Sequence, residues 1–428
     1  MPKFKAVRGT RDVLPEEWPY WEYIEGAIRK IAALYGYKRI ATPILEETGL
    51  YVRGVGEGTD IVDKEMYTFE DRGGRSLTLR PEFTAGIMRA YLENGLYVRP
   101  KPVKLYSIGP IFRYERPEAG RYRQHTQFNV EAIGEQDPAL DFEVISLALH
   151  FFRELGLSKI SLQLNSTGCP RCRPAYVREL VAYYEDKRDA VCADCRRRLE
   201  RNPLRVLDCK VEQCQPVIAE APNIRDHLCD DCRQHFDTLL HYLDAARIPY
   251  EINPRLVRGL DYYTKTVFEV WVQGIGSQNA ICGGGRYDGL IEELGGPPTP
   301  GIGFGSGIER LVLTLQEQGI SVGHESGPAV YVVHLGEEAK LEAVKLVQQL
   351  RRQGVPSLVS FGSRSLKAQL RDANRAGARA VIVIGEEELR DGRFQVKWLD
   401  TGEQEGVPRD EAVGELKRRL QAFESLKD

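Results

Sequence analysis

Eight of the nine cysteines fall between Cys169 and Cys232, six of them as the pairs Cys169-x-x-Cys172, Cys192-x-x-Cys195 and Cys229-x-x-Cys232, with Cys209 and Cys214 between them. A disulfide framework that stapled a whole secreted chain would not be confined to one stretch, so the clustering marks one local site or subdomain. Paired thiolates at this spacing suit tetrahedral zinc, and the eight supply two sites of four ligands each, with the pairing left open. Eight reduced thiols packed as small apolar side chains are the plainer alternative. The same stretch carries Arg196, Arg197, Arg198, Arg201 and Arg205, a basic patch suited to an RNA backbone or simply to solvent.

Around this cysteine-rich, charged and helical segment the texture differs. Residues 18–35 carry apolar residues at helical spacing, and Gly36 breaks the pattern before a strand-like run at 39–42 that stops at Pro43. Strand patterns at 76–79, 103–108 and 128–133 precede a helical pattern at 141–155, and strands return at 250–253 and 267–272. The cysteine-rich segment therefore reads as a domain inserted into another. A Gly/Pro-rich segment at 295–307 leads into a helix at 308–318, and 319–328 has linker character. Beyond it, strands at 330–335, 357–360 and 381–384 alternate with helices at 340–353 and 366–376, which implies a small α/β domain. That domain has no G-x-G-x-x-G after its first strand, so it reads as a binding module without a dinucleotide. The expected division is 1–168 and 248–325 for one catalytic domain, 169–247 for a helical cysteine-rich insertion, and 328–428 for the C-terminal domain.

A chain of 428 residues with 42% hydrophobic residues can bury cores for two or three domains. It has no uninterrupted apolar run of about 18 residues or more, and its first residues lack the apolar core of a signal peptide, so no membrane and a cytoplasmic location are expected. The net charge of -3 gives no whole-protein attraction to polyanions; any nucleic-acid contact must come from local clusters.

One such cluster is the stretch Phe112-Arg113-Tyr114-Glu115-Arg116 through Gly120-Arg121-Tyr122-Arg123-Gln124, with four arginines in eleven residues around a turn at Pro117 and Gly120. Guanidinium groups bind phosphate oxygens through paired planar hydrogen bonds, so two strands joined by this loop could hold a nucleotide or an RNA end. Phe112-Arg113-x-Glu115 resembles the second signature of class II aminoacyl-tRNA synthetases. Gly303-Phe304-Gly305-Ser306-Gly307-Ile308-Glu309-Arg310-Leu311 resembles the third, and Gly36-Tyr37-Lys38-Arg39-Ile40 ending at Pro43 the first. Leu256-Val257-Arg258-Gly259-Leu260-Asp261-Tyr262-Tyr263 and Gly283-Gly284-Gly285-Arg286-Tyr287-Asp288-Gly289, with Arg8-Gly9-Thr10-Arg11-Asp12, are similar to signatures of the histidyl-tRNA synthetase family. A match in several parts, in order, is far more specific than any one part.

The resemblance implies an α+β catalytic domain of the class II synthetase type, an antiparallel sheet flanked by helices, with a C-terminal α/β domain like an anticodon-binding module. It implies a homodimer that uses ATP and Mg²⁺ to activate histidine and then charges tRNA(His). Adenylate formation redistributes charge over phosphoryl oxygens, so positioned cations and in-line geometry matter most and no general base is required. By resemblance Arg113 holds the α-phosphate and the substrate carboxylate, Arg258 supplies a second cation, and Arg310, with Glu115, belongs to the ATP site. Glu82, Thr84 and Gln127 surround the α-amino group; Glu131 and Tyr263 meet the imidazole, and Tyr262 lines the same pocket. Gly283, Gly284, Gly285, Tyr287 and Gly305 line the site, where missing side chains permit close approach. Taken singly, Glu82 also reads as a helix-start acid, Tyr262 and Tyr263 as core aromatics, and Arg258 as a partner of Asp261 or a neighbouring acid.

Three positions depart from the family pattern. Phe83 stands where Gly is usual, Glu118 where Gln is frequent, and Arg123-Gln124-His125-Thr126-Gln127 lacks the expected aromatic residue, leaving His125 or Phe128 to meet adenine. The rival reading is a non-catalytic, histidine-binding regulatory paralogue of histidine biosynthesis, which typically lacks the C-terminal domain and the Arg258 signature.

Overall fold

The computed structural model describes residues 4–56, 59–272, 280–323 and 327–424, so residues 324–326 of the expected linker lie outside the described residues. The chain forms two compact units, 1–322 and 323–428. The first is built on an eight-stranded sheet of β1 (Lys38–Arg39), β2 (Val103–Phe112), β3 (Gln124–Ile133), β4 (Ile160–Ser166), β5 (Glu251–Ile252), β6 (Thr264–Val272), β7 (Ala280–Arg286) and β8 (Gly301–Gly307). Their spatial order is β1-β2-β3-β8-β7-β6-β4-β5. The six long strands pair antiparallel, and only the short outer strands β1 and β5 pair parallel.

Period-two alternation gives this sheet two chemically different faces. On β3, Phe128, Val130 and Ala132 join Phe268 and Val270 of β6 in a core beneath the helices α1 (Trp18–Leu34), α2 (Pro138–Glu154) and a later helix, Ile308–Glu317. The intervening Gln127, Asn129 and Glu131 face the other way. Helix α2 begins three residues before the apolar pattern, because Pro138 suits a first helical position and the Asp137 carboxylate accepts the Ala139 N–H at 2.8 Å.

Within the Gly/Pro-rich segment at 295–307, Gly301–Gly307 is a central strand that leads directly into the helix Ile308–Glu317. Gly303 pairs with Glu131 and Gly285, and Gly305 with Asn129 and Gly283. A Cβ on Gly303 would stand 2.9 Å from Glu131 Cδ, and one on Gly305 2.7 Å from Gln127 Cδ. Glycine here makes room for neighbouring side chains rather than breaking the strand. The β2–β3 hairpin also runs further than its apolar pattern, with pairing continuous from Val103↔Ile133 to Phe112↔Gln124.

The insertion packs the helices α3 (Arg173–Glu185), α4 (Ala193–Arg201) and α5 (Asp230–Ala245) around an apolar core that includes Tyr176, Leu180, Tyr184, Val206 and five buried cysteines. It is tied to the sheet through a buried charge cluster. Arg286 Nε lies 3.1 Å from Asp141 Oδ2, and His235 of α5 lies 3.0 Å from Asp141 Oδ1, with Arg286 and Asp141 fully buried. Burial works against ionisation of Asp141, but the Arg286 charge and the His235 hydrogen bond prevail and hold its carboxyl down at about 2.

The second unit has a five-stranded sheet in the order β10-β9-β11-β12-β13, from β9 (Val330–His334), β10 (Ser357–Val359), β11 (Ala380–Ile384), β12 (Arg393–Trp398) and β13 (Gln404–Pro408). Val330 and Val332 pack with Leu346 and Leu350 on one face, while Tyr331 and Val333 pack with Ala373 on the other. The three expected strands and two helices are present. The sequence pattern gives no warning of β12 and β13, whose exposed antiparallel residues interrupt the apolar runs.

Asp141→Ala should lower stability by about 3–5 kcal/mol, since it strips the buried Arg286 of its fully buried acid and leaves only Asp288, at 3.2 Å, to balance the charge. A urea midpoint that falls without a change in slope would be the expected readout. The carboxyl's folded value is depressed, so its contribution is present above the usual carboxylate range and is lost as pH falls through about 2.

Candidate active site

The polar face of the sheet forms the floor of a cavity of about 780 Å³. Arg113 and Arg121 reach it from the loop joining β2 and β3, Arg310 from the start of the helix that follows β8, and Arg258 from the irregular segment before β6. Glu115, Gly283 and Gly305 line it too, so three of the expected site arginines, carried by separate motifs, meet at one space. Insertion residues Arg198, Arg205 and Lys210 close its other side.

Each arginine is held by an acceptor. Arg258 pairs with Glu269, which stands directly across the strand pair from Gly283, so of the acids near it the partner is Glu269 and not Asp261. A Cβ on Gly283 would lie 2.5 Å from the Arg258 guanidinium carbon. Burial works against the charge of Arg258, but Glu269 offsets it and raises the guanidinium above its ordinary value. Its Nε is buried without a hydrogen-bond partner, as is Gln127 Oε1, and such orphaned atoms suit a site shaped for a polar ligand. Arg113 Nε donates to the Pro81 carbonyl at 2.7 Å, and Arg310 Nη1 to the Ala280 carbonyl at 2.6 Å.

Glu115 forms an ion pair with Arg121, and Glu118 lies 3.8 Å from Arg121, so the acid at that loop position has a cation beside it. His125 lines the cavity, and burial first, then the charge of Arg113, pushes its imidazole down to about 4. It is neutral near pH 7, with Nδ1 at 3.1 Å from the Tyr122 carbonyl. Phe128 is not available there: it points to the helical core, edge-on to Phe151 and Phe304 at 5.1 and 5.4 Å.

Beside the cavity, the other expected residues make a buried cluster. Glu131 Oε1 accepts from Thr84 Oγ1 at 2.6 Å and Asn129 Nδ2 at 2.8 Å, and Tyr287 donates to Oε2. Burial raises Glu131 to about 8. Tyr262 stacks at a tilt on Tyr263 with centroids 4.7 Å apart and meets Tyr287 edge-on at 5.8 Å. Glu82 does cap a helix, Thr84–Glu93, accepting the N–H groups of Thr84 and Ala85 at 2.6 and 2.8 Å. Phe83, the bulky departure from the pattern, is buried under the Arg80 guanidinium and leaves that cap intact. Gly283 and Gly285 face this side, whereas Gly284 faces the opposite one, against Phe268 and Phe304. Asn129 and Glu269 escape a motif search; their signal is only the polar alternation along β3 and β6.

The eight insertion cysteines are all free thiols and fall into two groups, Cys169, Cys172, Cys229 and Cys232, and Cys192, Cys195, Cys209 and Cys214. In each group the sulfurs lie within 4.8 Å of one another. Neighbouring sulfurs are 3.7 to 3.9 Å apart. A tetrahedron with metal–sulfur bonds of about 2.3 Å has edges of about 3.8 Å, so the donor sets fit a tetrathiolate metal. Burial opposes ionisation of Cys169, but backbone N–H groups of Cys172 and Arg171 bring it down to about 6, toward the thiolate a metal requires.

The ordered signatures, the antiparallel sheet and the arginine-lined cavity define a class II aminoacyl-tRNA synthetase core. A family model described as histidyl-tRNA synthetase matches residues 9–311, and one described as an anticodon binding domain matches residues 329–419. The histidine–tRNA ligase of Dehalococcoides mccartyi is 52% identical over 97% of this chain and 100% of its own length. That of Caldanaerobacter subterraneus is 52% identical over 96% and 99%. The apo histidyl-tRNA synthetase of S. aureus, at 40% identity, superposes with a TM-score of 0.80 over 97% of this chain and 100% of that one. The chain belongs to the histidyl-tRNA synthetase family.

The folded Glu131 carboxyl sits at about 8 against an ordinary 4.5, so its contribution to stability is intact below 4.5 and is lost as pH rises through about 8. Thermal melting of Glu131→Gln should therefore fall less steeply than that of the parent between about pH 5 and pH 8. Parallel curves would refute the assignment.

Proposed function

We propose that the chain is a histidine–tRNA ligase, which joins histidine to ATP as histidyl-adenylate with release of pyrophosphate and then esterifies the 3′ end of tRNA(His). The observation that carries this reading is the meeting of Arg113, Arg258 and Arg310 at one cavity beside the buried Glu131 cluster. The histidine carboxylate attacks the α-phosphorus in line, and Arg113 and Arg258 hold the oxygens over which charge spreads. Arg310 and Glu115 belong to the ATP site, and the neutral His125, which lines the same cavity, is the residue left to meet adenine. Mg²⁺ would neutralise the outer phosphates when bound, and Glu65 and Glu115, which both line the cavity, are the carboxylates that would hold it.

Glu82, Thr84 and Gln127 receive the α-amino group. The Glu82 carboxylate keeps lone pairs for an ammonium beyond its two backbone bonds, and Gln127 Oε1 lacks any other partner. Glu131 and Tyr263 meet the imidazole, with Tyr262 and Tyr287 closing the pocket; an analogue lacking the ring nitrogens would leave these groups unpaired, at about 1–3 kcal/mol each. The C-terminal unit reads the anticodon. The protein works as a homodimer, for which the exposed Ile44, Leu45 and Phe69 near the first signature offer an apolar surface. No helix among the described residues is long and apolar enough to cross a membrane. A cytoplasmic location suits eight reduced thiols, and zinc is the ion that suits four cysteines. The regulatory paralogue has no observation in its favour: Arg258 is in place and the C-terminal module is present.

Histidine-dependent exchange of labelled pyrophosphate into ATP should be robust, and Arg258→Ala should reduce it by about a hundredfold or more, as loss of one preorganised charge donor does. Absence of exchange by the folded parent would overturn the reading. Metal analysis should find two zinc ions per chain, falling to one in either Cys169→Ser or Cys209→Ser; a metal-free, fully folded protein would refute the zinc assignment.

A further inference from the structure

The segment 256–263, which carries Arg258, Tyr262 and Tyr263, belongs to no helix or strand. Its backbone therefore has no ladder to fix it, and other groups must hold it. Part of that hold comes from the catalytic body, where Asn165 Nδ2 donates to the Leu256 carbonyl at 3.0 Å and the Asp261 N–H to the Val55 carbonyl at 3.2 Å; the rest comes from the cysteine-rich insertion and its first turn. Val257 is buried in the insertion's own apolar core, among Cys172, Cys195 and Cys209. Asn202 Nδ2 donates to Asp261 Oδ1 at 2.7 Å, and the Arg205 guanidinium lies so close to Gly259 that a Cβ there would stand 3.2 Å from it. Both Asn202 and Arg205 lie between Cys195 and Cys209, ligands of one four-cysteine group. Arg173 follows Cys172 of the other group directly; it donates to the Thr167 carbonyl at 2.9 Å and to the Tyr263 carbonyl. Lys265, at φ 51°, is held on the same side by Gly168, whose carbonyl accepts its N–H at 2.8 Å.

We propose that the insertion is a clamp on this segment: residues beside one four-cysteine centre hold Gly259 and Asp261, Arg173 beside the other holds Tyr263, and Asn202 and Arg173 are positioning residues for adenylate formation. The inference rests on the reading of Arg258 as a cation for the α-phosphate. The cysteine centres give the small insertion a rigid frame, and the frame transmits that rigidity through the Asp261 side chain and the Tyr263 carbonyl. A displacement of about 1 Å in a reacting group can cost about a hundredfold in rate, so the loss of the Asp261 contact should act on turnover more than on substrate affinity.

The test uses the full-length, metal-loaded protein and pyrophosphate exchange. Asn202→Ala should lower kcat by about ten- to a hundredfold with little change in KM for histidine. Deuterium uptake by peptides covering 256–265 should rise in the same variant. The exchanged pair Asn202→Asp with Asp261→Asn restores a donor facing an acceptor and should recover both readouts. Arg173→Ala should lower kcat likewise and also raise the KM for histidine, because it frees the backbone of Tyr263, with Arg173→Lys partly restoring both. A parent that is active and an Asn202→Ala variant that equals it in kcat and in deuterium uptake would overturn the clamp alone, as would an exchanged pair that fails to recover. A folded parent with no histidine-dependent exchange would overturn the functional reading and the clamp with it.

Discussion

Gly283, Gly303 and Gly305 lie on one face of two adjoining central strands, and the space their missing side chains leave is filled by the Arg258 guanidinium, the Glu131 carboxylate and the Gln127 amide. Everything else about the site depends on that arrangement. Side chains on these strands would lift Arg258 off the sheet and away from Glu269, and would force β3 away from β8. The sheet can therefore be continuous in its backbone pairing and still concave in its side chains. On the opposite face Phe304 of β8 and Phe268 of β6 meet over Gly284 and bury against the helices.

A concave floor alone would not support concentrated positive charge. Arginines brought together in a partly buried space repel one another and lose hydration, and the cost is met by acceptors placed one for each. Glu269 serves Arg258, Glu115 serves Arg121, and backbone carbonyls serve Arg113 and Arg310. The charges are thereby fixed before any ligand arrives, which is how electrostatic preorganisation acts without reorganisation during the reaction. The Glu131 cluster works in the opposite sense: no cation stands beside it, burial raises its carboxyl to about 8, and neutral donors from Thr84, Asn129 and Tyr287 hold it in place.

The insertion joins these parts from outside. Its core is small for its length, and five of its buried positions are cysteines, so apolar burial by itself gives limited rigidity. Two compact groups of thiols, together with the Arg286–Asp141–His235 contact at its far helix, supply fixed points on the catalytic body.

By itself the sequence determined the family, the kind of chemistry and the broad order of domains, because motifs such as Phe112-Arg113-x-Glu115 and Gly303 to Arg310 are local and their residue types follow from phosphate recognition. It also fixed the amphipathic elements: the helix from Trp18 and the alternation on β3 are written in apolar spacing. Tertiary structure alone decided what depends on residues far apart in the chain. A glycine-rich stretch became a central strand because its neighbours' side chains needed the room; Arg258 took Glu269 rather than Asp261; Phe128 turned to the core; and eight cysteines separated into two groups of four. Spacing along a chain records which residues share a face, but which faces meet is a matter of packing, and only the fold carries it.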